Sequence, residues 1–245
     1  MLLTGGSGRL GQELQQLLPE LIAPPRAQLD ICQPESLRAV LEPLQPSLCI
    51  HAAAYTDVKA AEQDKRACWQ VNVEGSRQLL LALQRYSPNT FLIHISTDYV
   101  FAGDQGNYAE DDPLGPVRNY YALSKLVAEE IVRSYPQHLV IRTSFRPRQW
   151  PYPQAFDDVY TSQDYVDIIA PDIALAVRQH RAIPYDTLHI ATARKSVYAL
   201  AQQRAPQVQR GSKAAAGVDL PDDISLDISR WQALKAAWEK VADSA

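Results

Sequence analysis

The stretch TGGSGRLG, residues 4–11, places four glycines in eight positions and decides how the rest of the chain is read. Its glycines fit Gly5-x-x-Gly8-x-x-Gly11 or Gly6-x-Gly8-x-x-Gly11. Either spacing permits a tight turn, a close approach of backbone to a pyrophosphate, and close helix–sheet packing at Gly11. LLT at 2–4 reads as a strand before the loop, and RLGQELQQLL at 9–18 as a helix after it. The helix start offers unpaired N–H groups and a positive dipole end to phosphates. Strand, glycine loop and helix in this order predict a dinucleotide site, against the plainer reading of a flexible turn. Only Met1 to Thr4 precede the loop, fewer than the ~5–6 residues of a usual strand.

Working outward, short apolar runs alternate with amphipathic segments up to about residue 145, the pattern of a parallel sheet covered by helices. ELIAP at 20–24 reads as a second strand, and Pro34 opens a helix with Leu37, Val40, Leu41 and Leu44 on one face. LCIHAAA at 48–54 and TFLIHIS at 90–96 are near-continuous apolar runs, as strands buried on both faces require. A long helical stretch with Val73, Leu79, Leu80 and Leu83 lies between them, and HLVIRTS at 138–144 is a further strand. Residues 1–145 therefore form the predicted cofactor domain, and 146–245 a smaller portion intertwined with it.

In that second portion RPRQWPYPQAF reads as irregular and aromatic, TLHIAT at 187–192 as a strand, and Ser196 as the cap of a helix. QRGSKAAAG at 209–217 reads as a loop. A capping box from Ser229 to Gln232 opens a last helix carrying Trp231, Leu234, Trp238 and Val241 on one face.

The end of the second strand discriminates between cofactors. An acid there receives the ribose hydroxyls of NAD, whereas an arginine accommodates the 2′-phosphate of NADP. Here the strand runs into Pro24-Pro25-Arg26, with no acid until Asp30. The expectation is NADP(H) in preference to NAD(H), with Arg26 on the phosphate and either cofactor admitted.

Two further motifs carry chemistry. The strand at 90–96 runs into STDYVF at 96–101, so Ser96 and Thr97 stand at a carboxyl end, where open α/β sheets bind ligands. NYYALSK at 119–125 follows, and Tyr121 and Lys125, four apart, share a helix face, while Tyr120 has rotated away. A free phenol has a pKa of ~10. A neighbouring ammonium lowers it, which suits the phenol to general acid–base work. Lysine also suits ribose hydroxyls, having three donors on a long stem. Taken alone the pair is an ordinary exposed helix pair; its order after the glycine loop and STDYVF makes it a candidate site.

The bulk properties exclude other classes. A net charge of −4 over 245 residues gives no general attraction to nucleic acid or anionic membranes. No apolar run reaches the ~18 residues of a membrane span, and no signal peptide is visible. Three scattered cysteines give no disulfide framework or zinc spacing, and the five histidines form no metal-binding pair. The expected compartment is the cytoplasm.

Together TGGSGRLG, LDI at 29–31, HAAAYTDV at 51–58, VNVEG at 71–75, STDYVF and NYYALSK resemble the extended short-chain dehydrogenase/reductase family. The resemblance is dense to about residue 145. It implies an α/β fold, a Rossmann-type doubly wound parallel sheet with a small C-terminal α/β substrate-binding portion. It also implies an NAD(P)H-dependent reductase of a nucleotide-linked 4-keto sugar. Tyr121 would protonate the C4 carbonyl oxygen, Thr97 would hydrogen-bond it, and Lys125 would hold the ribose.

Gly5, Gly8, Arg9, Leu10 and Gly11 would line the pyrophosphate, Asp30 and Ile31 the adenine, and Ala53, Ala54 and Tyr55 the nicotinamide side. Ser96, Asp98, Val100, Arg146 and Trp150 are the candidate substrate contacts. For Arg146 and Trp150 a surface loop with an aromatic anchor explains the residues equally well. The second portion is shorter than the family's substrate domain. The alternatives are an epimerase or dehydratase of the same family, or a non-catalytic nucleotide-binding regulatory subunit. A homodimer is compatible with each.

Overall fold

In the computed structural model, residues 1–217 and 219–242 are described, with the backbone alone for Val241 and Ala242. Val241, expected on the apolar face of the last helix, therefore has a side chain outside the described residues. The chain forms two compact units. The first holds Met1–Val100 and Val117–Ile141; the second holds Phe101–Pro116 and Arg142–Ala245.

The first unit begins with β1 (Leu2–Thr4) and α1 (Arg9–Leu17), then α2 (Pro34–Leu44) and β2 (Leu48–His51). α3 (Val58–Gln63), α4 (Lys65–Trp69), a π-turn (Gln70–Glu74) and α5 (Gly75–Tyr86) lead to β3 (Phe91–Thr97). α6 (Tyr120–Arg133) precedes β4 (His138–Thr143). The strands lie in the order β1-β2-β3-β4. β1 pairs parallel with β2, and β2 parallel with β3, with His51 opposite His94. A core of Leu2, Leu37, Leu41, Leu79, Leu83 and Val140 fills one side, as expected where apolar strands are covered by helices.

Two sequence expectations in this unit are corrected. ELIAP contributes one bridge residue, Ile22, opposite Leu2. Pro24 and Pro25 follow at once and lack the N–H a strand would need. The run LCIHAAA is a strand only to His51, and Ala52–54 belong to the loop beyond it. The long helical stretch holds as one run from Lys65 to Tyr86 with the π-turn inside it; Asp64 caps it through the Ala67 N–H, and Asp57 caps the separate α3 through the Ala60 N–H.

In the second unit β5 (Phe145–Arg146) pairs parallel with β8 (Asp164–Tyr165). β6 (Gln154–Phe156) and β7 (Tyr160–Thr161) lie between them in sequence. α7 (Val166–Arg178), β9 (Thr187–His189), β10 (Lys195–Ser196) and α8 (Val197–Gln202) follow. Ser196 caps α8 through the Ala199 N–H, as expected. QRGSKAAAG is not a loop: it forms β11 (Gln209–Gly211), parallel to β6, and the short α9 (Lys213–Ala216). Ser212 caps α9 by accepting the Ala215 N–H.

α10 (Ser229–Ala242) begins at Ser229, as read from the sequence, and the Asp227 carboxylate accepts the Ser229 N–H at 2.7 Å. Trp231 is buried and donates its indole N–H to Asp172 on α7 at 2.8 Å. An arginine, Arg142, lies buried with its guanidinium 5.1 Å from the Phe101 ring centre. Its Nη1 donates to the Glu110 carbonyl at 3.2 Å.

Candidate active site

The glycine loop takes the first of the two sequence readings. Gly5 has φ +79°, the left-handed region that favours glycine, and its carbonyl accepts the Gly8 N–H at 3.0 Å. A Cβ at Gly11 would lie 2.4 Å from that same carbonyl oxygen, so helix and loop touch backbone to backbone. Gly8, the N-cap of α1, is exposed and carries no side-chain cap. Arg9 beside it is exposed too, while Leu10 buries its side chain and leaves only its backbone at the helix start. A bare, exposed helix start behind a loop with no side chains fits the pyrophosphate of a dinucleotide.

Beyond the next strand, Thr4 organises the neighbouring loop. Its hydroxyl pairs with His51 Nδ1 at 2.8 Å and accepts the Ala53 N–H at 3.3 Å. Asn72 on the π-turn closes a ring with Tyr55. It accepts the Tyr55 N–H at 2.7 Å, donates to the Tyr55 carbonyl at 3.1 Å, and donates to Ser124 on α6 at 2.8 Å. Ala53, Ala54 and Tyr55 are thus held as a fixed, half-buried edge at the end of β2.

Arg26 and Asp30 pair with each other at 3.3 Å, Arg26 being largely exposed. Asp30 also accepts the Cys32 N–H at 2.9 Å. Ile31 is buried, its side chain 2.7 Å from where a Cβ on Gly75 would stand.

Thr97 and Tyr121 come together in the first unit, with Lys125 one turn further along α6. Asn119 caps α6 through the Ala122 N–H at 2.8 Å, which starts the helix at Tyr120 and turns Tyr121 inward. Tyr121 packs among Tyr55, Val58, Tyr99 and Cys68, with the Tyr99 ring edge-on at 6.2 Å. Tyr120 turns the other way, its ring 6.3 Å from Trp69. Burial pushes the Tyr121 phenol above its ordinary pKa, and a hydrogen bond with Thr97 offsets part of that. The expectation of a lowered phenol is therefore reversed: Tyr121 is held protonated, the state an acid needs.

Lys125 is not among the groups that offset that burial, and its ammonium points elsewhere. Its buried Nζ donates to the Ile95 carbonyl at 2.8 Å and to His94 Nε2 at 3.2 Å, both on β3. Burial lowers its pKa from 10.5 to about 8, against the opposing charge of Glu129. His94 and His51 are buried with ring centres 5.1 Å apart, and burial drives both pKa values down, His51 to about 3.

These three bases set a pH dependence of stability. The unfolded chain binds protons the folded chain refuses, so stability rises with pH wherever that difference exists. For the histidines it is lost as pH falls below 6.5. For Lys125 a penalty present below about 8 is relieved between about 8 and 10.5. Urea midpoints should rise with pH towards 6.5; between about 8 and 10.5 the buried Cys49 and Cys68 thiols oppose Lys125 by keeping protons that the unfolded chain releases, so Lys125→Met should turn the alkaline slope downward relative to the wild type. An unchanged alkaline slope in that variant would show that Lys125 is not buried as described.

The remaining candidates are placed as follows. The Ser96 hydroxyl donates to the fully buried Glu129, and Val100 is fully buried. Asp98 accepts the Thr97 hydroxyl at 3.1 Å. In the second unit the Arg146 guanidinium lies 5.6 Å from the Trp150 ring centre and 5.8 Å from that of Tyr152. Sequence reasoning missed His51, His94 and Asn72. The signal for the histidines was present: LCIH and FLIH both place a histidine at the end of a buried apolar run.

The model of the RmlD substrate binding domain family matches residues 1–149. A dTDP-4-dehydrorhamnose reductase of Aggregatibacter actinomycetemcomitans is 35% identical over 152 residues, 59% of this chain and 51% of that protein. A probable dTDP-4,6-dihydroxy-2-methyloxan-3-one 4-ketoreductase of Streptomyces antibioticus is 37% identical over 150 residues, 59% and 50% of the two chains. The chain thus spans about half the length of the curated relatives it matches. The crystal structure of dTDP-4-dehydrorhamnose reductase from Bacillus anthracis in complex with NADP superposes with a TM-score of 0.81 at 25% identity. That match covers 92% of this chain and 89% of that one.

Proposed function

Because the chain belongs to the RmlD substrate binding domain family, we propose that it is an NADPH-dependent reductase of a nucleotide-linked 4-keto sugar, of the dTDP-4-dehydrorhamnose reductase type. The observation that carries the reading is the buried, hydrogen-bonded pair of Thr97 and Tyr121 with Lys125 one turn along α6. That constellation stands in the same unit as the glycine loop. The relatives named above support the substrate class.

The bound cofactor supplies the hydride. The protein's part is proton supply and orientation. Thr97 and Tyr121 present two hydroxyls to one carbonyl oxygen, and Tyr121 gives up its phenolic proton as charge develops there. Burial keeps that phenol protonated until then. Gly5, Gly8, Arg9, Leu10 and Gly11 hold the pyrophosphate, with Ala53, Ala54 and Tyr55 at the nicotinamide side. Asp30 and Ile31 lie at the adenine. Lys125 holds the ribose.

NADPH is the preferred cofactor in this reading. The Arg26–Asp30 pair is largely exposed on the arginine side, so releasing the guanidinium to a 2′-phosphate costs about 0–1 kcal/mol. Ser96, Asp98 and Val100 are the proposed substrate contacts within the first unit, and Arg146 and Trp150 are proposed separately within the second. The enzyme works in the cytoplasm, and its three free thiols suit a reducing compartment.

Purified protein given NADPH and freshly generated dTDP-4-dehydrorhamnose should oxidise the cofactor only when the sugar nucleotide is present. Cofactor that binds without net consumption, while the sugar is interconverted, would instead mark an epimerase. Binding with no change in either would mark a regulatory subunit.

A further inference from the structure

We infer that His94 is the positioning residue for Lys125, a neutral imidazole that fixes the direction of the ammonium at the carboxyl end of β3. The inference deepens the reductase reading and rests on it for what Lys125 does.

An ammonium has donors and no acceptor, so the 3.2 Å contact requires His94 Nε2 to accept. The proton of the neutral ring must then sit on Nδ1. That nitrogen is buried and has no hydrogen-bond partner among the described residues. An orphaned buried N–H is costly, and native proteins carry few of them. Leu or Val in the same place would have avoided the cost, so something other than packing accounts for a histidine here.

What it gains is visible at Lys125. The pairing of β2 with β3 ends at His51 opposite His94. The next carbonyl on β3, that of Ile95, takes one Lys125 N–H and His94 Nε2 takes a second. One donor of the three is left for a ligand hydroxyl. A flexible four-carbon stem is thereby turned into a fixed one.

Neutrality is part of the device. The charged and titratable groups around Lys125 are Glu129 on its own helix, Cys68 on α4, and His94 and His51 on the neighbouring strands. Glu129 supports the ammonium, while a protonated His94 would oppose it at contact distance. Burial keeps both histidines neutral.

The test uses the full chain without sugar substrate. Lys125 is titrated by NMR in protein carrying 13C-labelled lysine, and NADPH affinity is measured by fluorescence across the same pH range. In His94→Leu the Lys125 titration should move down by about one pH unit, and the NADPH Kd near neutrality should rise about tenfold. His94→Gln carries an acceptor oxygen at similar reach and should remain within about threefold of the wild type. His94→Asn is too short to reach Nζ and should behave like the leucine variant, which keeps the test decisive if the latter fails to fold.

A leucine variant with the wild-type Lys125 titration and affinity would overturn the inference, as would equal behaviour of Gln and Asn. Neither readout involves the 4-keto sugar. A wild-type protein that reduces no such sugar would therefore overturn the reductase reading and leave the role of His94 standing.

Discussion

Tyr121→Phe lowers kcat/KM for 4-keto-sugar reduction by about 10²- to 10⁴-fold, the usual contribution of a positioned general acid. The substitution removes one oxygen and keeps the ring. Tyr121 is 9% exposed and packed edge-on against Tyr99, so the phenylalanine keeps its neighbours. Removing the oxygen breaks the hydrogen bond with Thr97, worth about 1 kcal/mol net. The melting temperature should move by only a few degrees, and NADPH affinity by less than about threefold, because the phenol is not among the groups that hold the cofactor. A large loss of turnover with intact cofactor binding separates chemistry from folding. Turnover within tenfold of the wild type would mean that the proton comes from elsewhere.

Gly11→Ala produces the second large effect, and it acts on the cofactor. The added methyl would stand 2.4 Å from Gly5 O and 2.7 Å from Gly6 Cα. Both are backbone atoms, so no side chain can yield and the start of α1 must move away from the loop. Overpacking of this kind costs about 1–3 kcal/mol, which lowers the melting temperature by about 2–4 °C per kcal/mol in a chain of this size.

The displaced N–H groups no longer converge on one anion, and NADPH affinity should fall by at least about tenfold. Gly8→Ala provides the control. Its backbone, at φ −72° and ψ 166°, accepts any residue, and the new Cβ would meet only Gly5 O at 3.2 Å. That variant should lose less stability than Gly11→Ala, through one 3.2 Å backbone contact and a poorer N-cap, yet lose affinity as well, because the methyl intrudes where the pyrophosphate approaches. Unchanged NADPH binding in both variants would remove the loop from the cofactor site.

The parts of this architecture that could be read from the sequence are those where one local force dominates. Buried parallel strands are apolar throughout, and Leu48–His51 and Phe91–Thr97 stood out for that reason. The four-residue spacing of Tyr121 and Lys125 is a property of the helix itself, and a capping Asn119 fixes its phase. Elements that depend on a distant partner were harder to see. Gln209–Gly211 is a strand only because Gln154–Phe156 lies beside it, and nothing in a small polar segment announces that pairing.

The direction of the Tyr121 pKa shift was misread for a related reason. Sequence spacing brings an ammonium onto the same face, but burial and the acceptors on β3 decide where that ammonium points. His94 was passed over as a site residue because a histidine in an apolar run, visible as it is in FLIH, belongs to no motif. Its meaning comes from the helix packed across from it.

The most direct test of the reductase assignment follows the hydride itself. NADPH carrying deuterium at nicotinamide C4 is supplied with dTDP-4-dehydrorhamnose, and the sugar-nucleotide product is examined by NMR and mass spectrometry. The account predicts one deuterium per turnover, at C4 of the sugar in a single configuration, with labelled product forming about 10²- to 10⁴-fold more slowly when Tyr121→Phe replaces the wild type. A product formed without label at C4 would contradict it, since the carbonyl would then not be the site that this chain reduces.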